Sequence, residues 1–119
     1  MLQGAPFGFL RGMIVPVTPQ EEPITAIAQR LTSGGRQDEY GHPYADFARI
    51  AALWSPLLGV PVTSQQVGLC MIALKMARLC HSAFHRDSLI DIAGYANCLD
   101  MIHQRAEEIS NGRPSNNLK

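Results

Sequence analysis

From Pro23 onward, apolar residues recur at the three- and four-residue spacing of a helix rather than alternating as in a half-buried strand. Ile24, Ile27, Ala28 and Leu31 give a first helix from Pro23 to about Ser33, with the proline at a first turn where its missing N–H costs nothing. Thr32-Ser33-Gly34-Gly35 predicts its end, glycine taking the left-handed conformation that helix C-termini favour. Arg36 to Pro43 then reads as a polar loop. After Pro43, the residues Phe47, Ile50, Ala51, Leu53, Trp54, Leu57 and Leu58 form the wide apolar face of a second helix, with Asp46 and Arg49 off it. Pro56 predicts a kink there, or a restart capped by Ser55, before Gly59-Val60-Pro61 closes the element.

Thr63 and Gln66 have capping-box spacing and open a third helix from Ser64 to about Phe84. Apart from Gln65, Gln66, Lys75, Arg78, His81 and Ser82 it is nearly all apolar, which predicts a central helix covered on most sides. A fourth helix, about Asp87 to Ser110, carries Leu89, Ile92, Ala93, Ala96, Leu99, Ile102 and Ala106 on its inward side. There is no hairpin signal and no internal repeat. The expected fold is all-α, a compact four-helix bundle-like domain over residues 23–110. An apolar N-terminal arm, residues 1–22, and a polar tail, residues 111–119, flank it. The arm is broken by Pro6, Gly8, Arg11, Gly12 and Pro16, so it reads neither as a membrane span nor as a signal peptide. Its order is expected to depend on docking Phe7, Phe9 and Leu10.

Composition adds two constraints. A chain of 119 residues has room for one core, and 46% hydrophobic against 17% charged residues is more apolar side chain than a small monomer hides, so a homo-oligomer is expected. Ten basic residues balance ten acidic ones, which argues against general nucleic-acid binding and against an anionic membrane surface as partner. Three cysteines without a close pair suit a reducing cytoplasm.

The sharpest chemical feature is the run in which Asp87, Asp91 and Tyr95 stand one turn apart on one helix face. Two carboxylates so placed repel and call for a cation opposite, either Mg²⁺ or a basic side chain. The plainer alternative makes Asp87 an N-cap and Asp91 a first-turn acid. Lys75 and Arg78, one turn apart on an otherwise apolar helix, need a carboxylate, a phosphate or solvent; an antiparallel third and fourth helix would bring Arg78 near Asp91 or Tyr95. In the loop, Arg36 suits a phosphate and Tyr40 a base, with His42 beside them ahead of a helix N-terminus. His81 and His85, with Asp87 close by, have the spacing of a helical zinc pair, although the helix dipole alone favours histidines at a C-terminus. Cys70, Cys80 and Cys98 read as small hydrophobes.

With these residues in hand, the stretch from about Ala26 to Ile102 resembles a family of small proteins encoded by phages and prophages. The resemblance rests on Arg36 with Tyr40-Gly41-His42-Pro43, on Phe47 and Ile50 to Trp54, on Lys75 with Arg78, and on Asp87 to Tyr95. It implies a virus-associated cytoplasmic protein and brings no activity with it. More distantly, the chain is similar to all-α nucleoside triphosphate pyrophosphohydrolases, oligomers that hold Mg²⁺ on acidic helices and split phosphate anhydrides. It departs from them in having no ExxE motif, and in offering Asp87 and Asp91 one residue further apart than their ExxD; set against that family's acidic motifs, Glu39 or Asp46 would supply the missing metal oxygens from the neighbouring element. Three expectations follow. One is a binder of a nucleotide or nucleotide-derived phosphate compound, with or without Mg²⁺-dependent hydrolysis. Another is a non-catalytic oligomer that sequesters a host nucleotide immune signal, and the last is a structural, partner-binding helical module.

Overall fold

A computed structural model describes residues 22–112, and within them the chain is helical throughout, without a strand. Its elements are α1 (Ile24–Ser33), α2 (Gly35–Tyr40), α3 (Pro43–Leu58), α4 (Ser64–His81) and α5 (Arg86–Ser110). The four long helices are those the periodicity predicts, so the all-α fold class is as expected. The arm, apart from Glu22, and the tail beyond Gly112 lie outside the described residues.

The central element is α5, not α4. At 25 residues α5 is about 37 Å long, and α1, α3 and α4 all pack along it. The core joins Phe47 and Ala51 of α3, Val67 of α4, and Cys98 and Ile102 of α5, with Tyr44, Ile50, Trp54, Val62, Tyr95 and Leu99 packed around them. By contrast α4 buries only Val67 and Gly68, and leaves Leu69, Leu74 and Met76 43–54% exposed. A helix apolar all round is covered only where it has neighbours, and α3 and α5 occupy one side of α4 alone. The fourth helix also turns slightly differently from its predicted face: Ser88 and Ile90 are buried, whereas Ala96 and Ala106 face solvent.

Gly34 ends α1 with φ −121°, outside the left-handed region, and the segment read as a loop coils again as α2. Asp38 in the first turn favours that short helix, and the Arg36 guanidinium lies 5.0 Å over the Tyr40 ring one turn on. The glycine with positive φ at this junction is Gly41, φ +84° and ψ −176°, which stops α2 and turns the chain into α3; the left-handed C-cap is Gly59, φ +75°, at the end of α3. Pro56 neither breaks nor restarts α3. It sits in the last turn, where one lost hydrogen bond is tolerated, and Ser55 serves the next connection instead, its hydroxyl donating to the Ala51 carbonyl and accepting from Val62 N–H at 2.9 Å. The Thr63–Gln66 capping box forms in both directions, at 3.1 and 3.0 Å. α4 ends at His81, three residues before the predicted Phe84.

Two close approaches set the helix spacing. Gly68 lets α4 lie against Leu99 of α5, because a methyl at Gly68 would stand 2.5 Å from Leu99 Cδ2. On the other flank, buried Thr32 of α1 donates to the Ala28 carbonyl at 2.9 Å and accepts from Asn97 Nδ2 of α5 at 2.7 Å.

Candidate functional site

The short turn between α4 and α5 makes them antiparallel neighbours, so residues equally far from the turn stand level. Lys75 precedes the end of α4 by six residues and Asp91 follows the start of α5 by five, and they meet: Lys75 Nζ lies 3.1 Å from Asp91 Oδ2. Arg78 is nearer the turn and is not the residue that reaches Asp91. On the other side of α5, the break at Gly34 carries α2 across the same level. The result is an open cleft of about 560 Å³. Its walls are Ala28, Leu31 and Thr32 of α1, Gly35, Arg36 and Glu39 of α2, Lys75 of α4, and Ile90, Asp91, Gly94, Tyr95 and Cys98 of α5.

Five residues singled out from sequence thus line one cleft although they come from three helices: Arg36, Glu39, Lys75, Asp91 and Tyr95. Two cations face two carboxylates, so the lining is formally neutral. The Lys75 side chain is 16% exposed and that of Asp91 41%, which leaves the carboxylate accessible while its partner is largely covered. Tyr95 packs its ring against Phe47, centroids 6.3 Å apart at 58°, so the core holds it still at the cleft wall. Burial pushes the Cys98 thiol up, which keeps it protonated and suits the packing role expected of it.

The other candidates lie elsewhere. Tyr40 and Asp46, together with Arg36, border a separate cavity of about 20 Å³ under α2, room for a single water. Asp46 also pairs with Arg49 at 3.2 Å. His42 caps α3, its Nδ1 accepting from Tyr44 N–H at 3.0 Å, and burial holds its pKa below the ordinary imidazole value. Arg78 shares an open groove of about 550 Å³ with His81 and His85. Those two histidines do not share a helix face: His81 ends α4, whereas His85 precedes α5 and bonds Ser88 Oγ at 2.7 Å. Asp87 is exposed in the first turn of α5, two residues past the N-cap position, which His85 occupies. Among the described residues no three His, Cys, Asp or Glu side chains converge to hold a metal ion.

Thr32, Gly68 and Asn97 matter in the structure without standing out in the sequence. Thr32 belongs to the run that predicts the end of α1, yet its place four residues after Ala28 puts it on the buried face of that helix. Gly68, in a helix rich in strong helix formers, was the local signal that another helix comes close.

A small all-α protein with a mixed-charge cleft, and with no helix among the described residues long and apolar enough to cross a membrane, is the class these features define. The chain belongs to the domain family described as "Domain of unknown function (DUF6378)", whose model matches residues 24–103. It is 41% identical over 87 residues to the Gene 55 protein of Mycobacterium phage D29, covering 73% of this chain and 58% of that protein. Against the Gene 55 protein of Mycobacterium phage L5 it is 36% identical over 86 residues, covering 71% and 55%. The chain therefore spans little more than half the length of these phage relatives. No solved structure matches it significantly.

Proposed function

We propose that the cleft between α1, α2, α4 and α5 binds a nucleotide or a nucleotide-derived phosphate compound. The observation that carries this reading is the convergence of Arg36, Lys75, Glu39, Asp91 and Tyr95 on one opening of about 560 Å³, within the size range of small-molecule sites. A strongly basic pocket would suit any polyanion. A neutral one with both signs suits a ligand that is anionic at one end and a hydrogen-bond donor at the other. Arg36 and Lys75 take the phosphate, Asp91 and Glu39 accept from ribose hydroxyls or base amino groups, and Tyr95 with Leu31 and Ile90 forms an apolar wall for the base.

Mg²⁺ fits this scheme as an ion carried in with the ligand. It is commonly held by one or two carboxylates plus substrate phosphates, and the cleft offers two carboxylates, Asp91 and Glu39. Asp87, not among the lining residues, is not one of them. When bound, the ion would polarise a phosphate oxygen or lower the pKa of a water. The Asp91 carboxylate is already engaged by Lys75, which favours binding over hydrolysis.

The test is thermal stability with nucleoside triphosphates, dinucleotides and cyclic nucleotides, each with and without Mg²⁺, followed by chromatography of the recovered ligand. Saturation at a hundred times Kd stabilises by about 2.7 kcal/mol, a rise of roughly 10 °C or more for a domain of this size. Lys75→Met and Arg36→Ala should abolish the rise, with the wild-type ligand recovered whole. Cleaved ligand would replace the binding reading with a hydrolytic one. No rise with any phosphate compound would refute both and leave a partner-binding module.

A further inference from the structure

On the side of α4 opposite Lys75, Leu69, Ala73, Met76 and Cys80 follow one another at intervals of four, three and four residues, and all four are exposed. That 3.5-residue repeat is the spacing by which one helix packs its side chains into the spaces of another. The strip holds no charged residue, whereas solvated helix faces normally carry several. Leu69 and Met76 of this strip are 49% and 54% exposed, and on the adjoining α3 Leu53, Leu57 and Leu58 are 67%, 82% and 63% exposed, a total of the same order as the roughly 800 Å² that one partner gives to a standard interface.

We infer that two copies of this chain associate through this strip, α4 packing antiparallel against α4 of the second copy. The occupant follows from the strip's own symmetry. A two-fold axis between residues 74 and 75 sets Leu69 against the partner's Cys80 and Ala73 against the partner's Met76. Every layer then pairs a large side chain with a small one, the arrangement that lets helices interdigitate without voids. No like charges meet along the strip, and with a formal net charge of +0 on each chain the two copies do not repel. Because Lys75 points away from the strip, both clefts stay open, and this association stands whatever the cleft binds.

Light scattering on the whole chain should give twice 13.0 kDa. Ala73→Glu and Met76→Glu, both on exposed positions, should give monomers with unchanged far-UV circular dichroism. Leu69→Cys should yield a covalent dimer under oxidised glutathione, and Leu69→Cys combined with Cys80→Ser should not. A monomeric wild-type chain, an oligomer that survives both glutamates, or a cross-link independent of Cys80 would overturn the inference.

Discussion

Replacing Gly68 by alanine sets two known effects against each other. In the interior of a helix alanine is favoured over glycine by about 1 kcal/mol. Here the added methyl would meet Leu99 Cδ2 at 2.5 Å and Cγ at 2.9 Å. Rotating the end of the leucine does not clear the Cγ contact, so either its first torsion changes or α4 and α5 separate. Such overpacking costs about 1–3 kcal/mol, and the net expectation is a loss of about 1 kcal/mol, or a melting temperature lower by about 4–8 °C. Leu99→Ala alone should cost about 2 kcal/mol, near the low end of the usual range because Leu99 is only half-buried. In the double variant the clash is gone and the helix preference is realised, so the loss should be about 1 kcal/mol and the coupling about 2 kcal/mol. Urea unfolding followed by circular dichroism and Trp54 fluorescence, at one fixed protein concentration, measures all four corners. A Gly68→Ala variant that is stabilised, or single effects that simply add, would show that the close approach of α4 and α5 does not depend on this glycine.

Two further outcomes can be checked on the same instruments. His42 caps α3 as neutral imidazole and its folded pKa lies below the ordinary value because it is partly buried and near Arg105. As pH falls below about 6.5 the unfolded chain takes up this proton first, so its contribution to stability is intact above that pH and declines below it, levelling off under the folded pKa. His42→Asn retains a capping oxygen without a titrating group and should flatten that part of a melting-temperature series; an unchanged slope would assign the effect elsewhere. Thr32→Val keeps the shape of the buried side chain but removes the acceptor for Asn97 Nδ2 and should cost about 1 kcal/mol in urea unfolding. A variant as stable as wild type would mean that Gln29 Oε1, 3.0 Å from the same Nδ2, suffices.

The helices were legible because their apolar spacing and caps are local. The Thr63–Gln66 box appears in the structure as the spacing predicts, and the second long helix begins at Pro43 itself, one residue inside the stretch that reads as loop. What the pattern did not carry was which side of each helix has neighbours. Alone, α4 looks like the most buried element, since hydrophobicity records the wish to be covered and not the presence of a cover. The same limit applied at Gly34 and Gly41, where two glycine-bearing breaks were visible and their backbone geometry was not. For the cleft, residue types were the guide: Arg36, Lys75, Asp91 and Tyr95 were named from charge and spacing. That Lys75 rather than Arg78 meets Asp91 depends on the length of the α4–α5 turn, and α4 ends three residues early. Asp87 and Asp91 share a helix face, yet only Asp91 lines the cleft, because α2 and Lys75 close around one turn of α5 and not the next.

Under the proposed binding, the ion pair between Lys75 and Asp91 would make admission to the cleft an exchange. In that scheme an anion would share the three donors of the ammonium with, or displace, a carboxylate already held at 3.1 Å. Inorganic phosphate would take the ammonium and return the 41% exposed Asp91 carboxylate to water. A molecule that brings a phosphate for Lys75 and a hydroxyl or amino group for Asp91 completes the exchange on both sides. Discrimination of this kind would work against small abundant ions, which bring nothing for the carboxylate.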